Sequence, residues 1–459
     1  MAPIHRIFCF LAFTLFDYPC LAQSSTKYIS THEALEDVAY LIKTFEEVHY
    51  NPYFKIRKKE FLNVKDNLLS QWNKDSITLK HFIATTMKLA AQLSGGHSYS
   101  DWQNPSIIHE IKEYQYLPFT GKINAENKFE ITKSIISSLK SGTVIKQING
   151  VDIVELYNEC KSYIGGIEAF KNAQCEKVFP LYLFFSSIVQ SPYEITTDNT
   201  KQNINTDGID INDLITFLNS RQIQENYTFE ILNNKIALIS YNSCTDYDAF
   251  KKFLKQSFEE IYNNQIDKLI IDIRANEGGN SLLNDLLLSY ITQKPYRQFS
   301  GRYWKVSQQA KKAYSTNEEF MKVLDYDFKQ KYFNTNHGEI MESLDSELIY
   351  PKTPEYYFEG KSCFLIGSNT FSSANLLADA IKTYSLTTLI GAHTGEYTND
   401  FGEQISFILP NSKNTIYIST TYDVGANGNA KILEPVYPDL EVKKNIMEYT
   451  TEWIEKQSN

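Results

Sequence analysis

From Ser30 to Leu93 apolar residues recur at helical intervals: Leu35, Val38, Leu41, Ile42 and Phe45, then Phe61, Val64 and Leu68, then Ile83, Met87 and Ala90. This spacing predicts a helical region, and it stops at Ser94-Gly95-Gly96-His97-Ser98, where the glycines break the helix. Further along the period shortens to that of strands. Tyr227 to Leu232 and Ile236 to Tyr241 predict two strands joined by Asn233-Asn234-Lys235. Lys268 to Ile273 is a continuous aliphatic run, the pattern of a strand buried on both faces, and Ser362 to Ile366 is a second apolar strand. Ala374 to Thr383 returns to helical spacing at Leu376, Leu377, Ala380 and Ile381. Helix and strand alternate up to Thr388, which predicts an α/β layer, and two more strands follow at Gln404 to Leu409 and Thr415 to Thr420.

Three stretches break this pattern. Leu139 to Ile153 carries an apolar strand into Asn149-Gly150, the strongest short hairpin signal, with a helix after it. Residues from about Tyr116 to Tyr182 around it resemble a PDZ domain, whose groove beside an edge strand takes up an extended peptide. Between Gln190 and Gln224 the chain turns polar and reads as a linker. Arg297 to Tyr350, rich in Tyr, Lys, Phe and Glu, reads either as a lid or as a solvated helical excursion.

The chain has 459 residues, more than one core usually holds, with 42% hydrophobic and 22% charged content, so several globular domains are expected. A formal net charge of −10 argues against nucleic acid as the main partner. Met1 to Arg6 is basic, Ile7 to Phe16 is apolar, and Cys20-Leu21-Ala22 offers a cleavage site, so residues 1–22 read as a secretory signal peptide. Export to the periplasm or the medium is the consequence, and no later apolar run is long enough to span a membrane. Cys160 and Cys175 could close a short loop in an oxidising compartment or remain buried thiols. No cysteine or histidine pattern has zinc-ligand spacing.

The candidate chemistry lies where two of the predicted strands end. After Lys268 to Ile273 comes Arg274-Ala275-Asn276-Glu277-Gly278-Gly279, whose glycine pair lets backbone N–H groups approach a ligand closely, as half of an oxyanion hole requires. After Ser362 to Ile366 comes Gly367-Ser368-Asn369-Thr370-Phe371-Ser372-Ser373-Ala374, which presents a hydroxyl at the start of a helix, where developing negative charge is favoured.

Asp272-Ile273-Arg274-Ala275-Asn276-Glu277-Gly278-Gly279, followed by Thr370-Phe371-Ser372-Ser373-Ala374, Leu389-Ile390-Gly391 and Thr394-Gly395, resembles the tail-specific, or C-terminal processing, family of serine peptidases. The resemblance implies an α/β fold: a crotonase-like ββα catalytic domain over 227–459, an N-terminal helical domain over 23–103, a PDZ-like domain over 104–190 and a linker over 191–226. It implies Ser372 as nucleophile, with Ser373 and Ser368 as the other registers, and an oxyanion hole from Gly278 or Gly279 together with Ser373. One branch of the family places a lysine where this chain has Tyr397, and Lys382 stands on the wrong element. The other, tricorn-core-like branch takes a histidine from an upstream turn, which His97 matches, with His393 as the competing base. That branch orients the imidazole with a glutamate near a Pro-Asp motif, here Glu434 before Pro438-Asp439. Asp272 and Arg274 would brace their turn.

The activity this implies is an exported serine endopeptidase acting through an acyl-enzyme on polypeptides bound as extended strands, with no cofactor or metal. Two alternatives stand beside it: a non-catalytic peptide- or ligand-binding protein on the same fold, and an acyl-ester hydrolase. Asn375, where the family has an acid, and Tyr397 are the departures that keep the first open.

Overall fold

The computed structural model describes residues 28–93, 95–198, 203–219, 225–233, 235–344 and 346–457. The segment expected to be a signal peptide lies outside them. The chain divides into two units, one built from 224–403 and 420–459, the other from the preceding residues up to Ile223 together with Gln404–Ser419.

The C-terminal unit is organised by a six-stranded sheet in the order β1 (Tyr227–Asn233), β2 (Ile236–Tyr241), β3 (Lys268–Asp272), β4 (Lys361–Ile366), β5 (Thr388–Gly391), β6 (Leu440–Glu441), numbered within this unit. β1 and β2 form an antiparallel hairpin and every later pairing is parallel. Side chains of a strand alternate between faces, so β3 feeds two cores at once. Leu269 and Ile271 join a cluster with Ile239, Phe364 and Leu377, while Ile270 joins Ile236, Cys363, Leu365 and Ile390 on the opposite face. Helices α1 (Tyr247–Asn263), α2 (Leu282–Ser289) and α3 (Ser373–Tyr384) contribute to the first cluster, and a helix at Ile446–Glu455 contributes Ile454 to the second. Burial on both faces is why β3 needs no polar alternation.

The stretch from Arg297 to Tyr350 carries two strands besides its helices. Its strand Phe299–Lys305 is the middle of a three-stranded sheet between Ile340–Leu344 and Thr421–Gly425. Trp304 packs edge-on against Tyr314, Phe328 and Tyr332, which explains the aromatic richness that hid the strand. From this sheet Arg302 reaches Glu403 at 2.5 Å and Asp423 at 3.0 Å, with its guanidinium over the Phe299 ring. Thr420 N–H and Oγ1 both donate to the Glu403 carbonyl, at 2.8 and 3.0 Å. The chain leaves this unit after Glu403 and re-enters it at Thr420, so the triad clamps the two ends of that excursion.

The N-terminal unit begins with helices Thr31–Val48, Lys58–Leu69 and Leu79–Ala90, the first closed by a Ser30/Glu33 capping box. An antiparallel sheet follows, ordered Phe119–Ile123, Phe129–Ser134, Val144–Ile148, Tyr193–Thr197, Ile204–Thr206. Asn149 and Gly150 both take positive φ at the hairpin that turns Ile148 back onto Val151, as the Asn-Gly pair predicts. The residues expected as a linker hold two of these strands and a helix at Ile211–Asn219. Tyr193, Ile195 and Thr197 alternate inward, and the polar residues between them gave the segment its solvated look. Tyr116 and Ile209 exchange both backbone hydrogen bonds, joining the segments that flank the first and last strands. Cys160, Cys175, Cys244 and Cys363 are all buried free thiols.

Replacing Arg302 by leucine removes the cation shared by two acids that are both mostly buried, at a cost of about 3–5 kcal/mol. The thermal midpoint of unfolding should fall by roughly 10 °C. A fall of less than about 2 °C would show that the triad is not what holds this junction.

Candidate active site

β3 and β4 are adjacent and parallel, with Ile271 opposite Phe364 and Asp272 opposite Leu365, so the loops leaving them start side by side. Both loops open at the carboxyl ends of the strands, where α/β sheets place their sites. The first is stiffened at its root. Arg274 Nε and Nη2 donate to the two Asp272 carboxylate oxygens at 2.9 and 2.5 Å, and Arg274 N–H donates to Oδ1 at 3.0 Å. Buried Asn276 donates through Nδ2 to the Tyr241 carbonyl at 3.0 Å and accepts the Gly278 N–H on Oδ1 at 2.9 Å.

The second loop is tied to the first. Thr370 Oγ1 donates to the Ile273 carbonyl at 2.9 Å and accepts the Gly367 N–H at 3.0 Å, while Phe371 N–H donates to the Asn276 carbonyl at 3.1 Å. Ser372 then stands at the N-cap of the twelve-residue helix α3, its carbonyl accepting the Leu376 N–H at 3.0 Å. Its backbone has φ 53° and ψ −125°, a conformation that L residues other than glycine rarely hold. Ser373 is fully buried and its hydroxyl donates to the Gly279 carbonyl at 2.6 Å, so it is spent on joining the loops.

Gly278, at φ +100°, lies directly against the Ser372–Ser373 peptide. A Cβ there would come within 2.7 Å of Ser372 Cβ and 2.8 Å of the Ser373 nitrogen. Among the described residues the N–H groups of Gly279 and Ser373 donate to no protein acceptor, whereas that of Gly278 is taken by Asn276. Two uncommitted donors beside a serine at a helix N-terminus can receive an anionic oxygen.

A third loop, after β5, borders the serine. Gly395 N–H donates to the Thr370 carbonyl at 3.0 Å, Asn375 Nδ2 donates to the Tyr397 carbonyl at 2.8 Å, and Ser372 N–H donates to Glu396 Oε2 at 2.7 Å. Sequence reasoning missed Glu396; the only signal was an acid directly after the Thr394-Gly395 pair. Thr398 N–H donates to the Glu434 carbonyl at 2.9 Å, which brings the main chain of Glu434 into this loop cluster, and its side chain is exposed. His393 sits on the same loop, Nδ1 at 2.9 Å from the Thr394 carbonyl and its ring edge-on to Tyr437. Lys382 is ten residues along α3 from Ser372, about 15 Å at 1.5 Å per residue, and pairs with Asp439.

His97 belongs to the N-terminal unit, where it is 4% exposed. Its turn is fixed by the Gln404–Ser419 excursion, whose second strand pairs with Tyr99–Ser100. Gln404 Nε2 donates to the His97 carbonyl and the next residue, Ser98, accepts the Ser419 N–H on Oγ at 3.1 Å. Tyr99 stacks on Tyr417 at 4.7 Å between centroids.

A serine held in a strained turn between a parallel strand and a helix, with a glycine turn against it, is the arrangement of a serine peptidase, and this protein is one. Residues 235–442 match the model of peptidase family S41. The fold is similar to crystal structures of a CPAF mutant (TM-score 0.67, 12% identity, covering 93% of this chain and 96% of that one) and of mature CPAF complexed with lactacystin (TM-score 0.63, 14% identity, 93% and 97%). Mature CPAF alone gives a TM-score of 0.62 at 14% identity, covering 93% and 96%. No curated protein matches the sequence.

Two predictions follow from this packing. Gly278→Ala forces a methyl group into the Ser372–Ser373 peptide at a φ that alanine disfavours, and should slow acylation by a fluorophosphonate about a hundredfold or more. A rate within threefold of wild type would show that the glycine turn does not set the serine. Behind the serine, burial pushes the Asp379 carboxyl of α3 up from 3.8 to about 6, although it accepts the Ala426 N–H at 2.7 Å. Between those pH values the folded chain holds more protons than the unfolded one, so stability falls as pH rises through the window and the loss is complete above it. Asp379→Asn should remove that part of the fall, gaining on wild type by on the order of 2–3 kcal/mol between pH 4 and 7 in unfolding measurements. A constant difference across that range contradicts the assignment.

Proposed function

We propose that this S41 peptidase is an exported endopeptidase in which Ser372 attacks the scissile carbonyl, His97 takes and returns the proton, and Glu434 orients the imidazole. The oxyanion is received by the N–H groups of Ser373 and Gly279, since Asn276 holds that of Gly278. Polypeptide enters as an extended strand and leaves in two pieces through an acyl-enzyme on Ser372. The carrying observation is the Ser372 backbone, strained at φ 53° on the end of α3 with Gly278 packed against its peptide. The same geometry disfavours Ser373, whose hydroxyl is committed to Gly279. Ser368 stands five residues before the start of the helix and so lacks its field.

Support for His97 comes from its place in the sequence motif and from the firmness of its turn within its own unit. Support for Glu434 comes from its Pro-Asp motif and from its main-chain bond to the loop that borders Ser372. Export is supported by the N-terminal sequence, and no helix among the described residues is long and apolar enough to cross a membrane.

Labelling with a fluorophosphonate, and turnover of an unfolded polypeptide, should both vanish in Ser372→Ala. His97→Ala should lower them by about a thousandfold or more, as loss of a triad base does, while His393→Ala stays near wild type. Labelling that survives Ser372→Ala, or a silent His393→Ala beside an active His97→Ala, would refute the assignment.

A further inference from the structure

Glu396 makes a contact that the reaction outlined above does not use. It is 5% exposed, and its Oε2 accepts the main-chain N–H of Ser372 at 2.7 Å. The carboxylate has little freedom, because the loop that carries it is sewn down on both sides. Thr394 Oγ1 donates to the Glu396 carbonyl at 3.2 Å and accepts the Val436 N–H at 3.0 Å. Gly395 N–H holds the Thr370 carbonyl, and the Tyr397 carbonyl holds the side chain of Asn375 one turn into α3.

A non-glycine residue at φ 53°, ψ −125° costs of order 1–3 kcal/mol and persists only where its surroundings hold it. A hydrogen bond from a main-chain N–H to a buried carboxylate is of the stronger kind and is matched in scale to that strain. The same bond has a second effect. A helix N-terminus offers several N–H groups to an arriving anion. With Glu396 on Ser372 and Asn276 on Gly278, two of the nearby donors are already committed, which leaves Ser373 and Gly279 for the oxyanion.

Resting on the assignment of Ser372 as nucleophile, we infer that Glu396 is a positioning residue for the reaction. It acts through the serine's main chain, holding the strained turn that presents Oγ and directing the oxyanion to one pair of donors. It moves no proton.

The test compares Glu396→Ala, Glu396→Gln and Glu396→Asp in the full chain, resolving fluorophosphonate acylation into reversible affinity and maximal rate across pH. Glu396→Ala should lower the maximal rate about 10- to 100-fold, the worth of one hydrogen bond to a charged group, with affinity and the midpoint of the pH profile unchanged. Glu396→Gln keeps an acceptor oxygen at the same reach and should stay within about fivefold of wild type. Glu396→Asp retains the charge one methylene short, and should lose at least about tenfold. It decides the matter if Glu396→Ala does not fold. A wild-type rate in either the Ala or the Asp variant, a Gln variant as slow as Ala, or a pH midpoint moved by a unit overturns the inference. Ser372→Ala is run in parallel. If it still labels, the nucleophile assignment is what has failed; if it is silent and the Glu396 variants are unaffected, only the role of Glu396 has failed.

Discussion

The close approach of two backbone turns governs the C-terminal unit. Gly278 lies against the Ser372–Ser373 peptide with no room for a side chain, and the surrounding bonds from Thr370, Phe371 and Ser373 lock the turns in that contact. The contact exists because β3 and β4 are neighbours in register, each buried on both faces, so their loops leave the sheet a single strand spacing apart. Strain at Ser372 is tolerable only inside such an over-determined frame. Two layers of apolar packing therefore fix the place of one hydroxyl.

Chemistry follows from which backbone donors the frame leaves uncommitted. Side chains use up two of the N–H groups nearest the serine, Asn276 taking Gly278 and Glu396 taking Ser372. Among the described residues the N–H groups of Gly279 and Ser373 stay uncommitted, and they are the pair proposed to receive the developing charge. An oxyanion hole formed by that proposed pair would owe its selectivity to its neighbours as much as to its donors.

Much of this was legible in the sequence because it is encoded locally. The aliphatic run before Asp272, the glycine pair and the serine ahead of a helical repeat each declare a strand, a turn or a cap without help from distant residues. The helix expected over 374–383 forms at Ser373–Tyr384, and the strand expected over 268–273 at Lys268–Asp272. Pairing across long sequence distances was not legible. Alternation at 404–409 and 415–420 announces two strands, but only the fold shows that they join Tyr99–Ser100 in the other unit and brace the turn of His97. The strand at Tyr193–Thr197 was masked by its solvent-facing polar residues, and the one at Phe299–Lys305 by aromatic residues that serve a local core. Glu396 was hidden for another reason: an acid beside a glycine looks like any exposed loop residue, and nothing local shows that it is buried on a main-chain N–H.

The central claim, that a strained turn at Ser372 is the reacting centre, is tested most directly by the crystal structure of the phosphonylated protein. The account predicts density continuous with Ser372 Oγ and a phosphoryl oxygen about 3 Å from the N–H groups of both Gly279 and Ser373. An adduct on Ser373 or Ser368, or an oxygen seated on the Gly278 N–H after displacing Asn276, would contradict it.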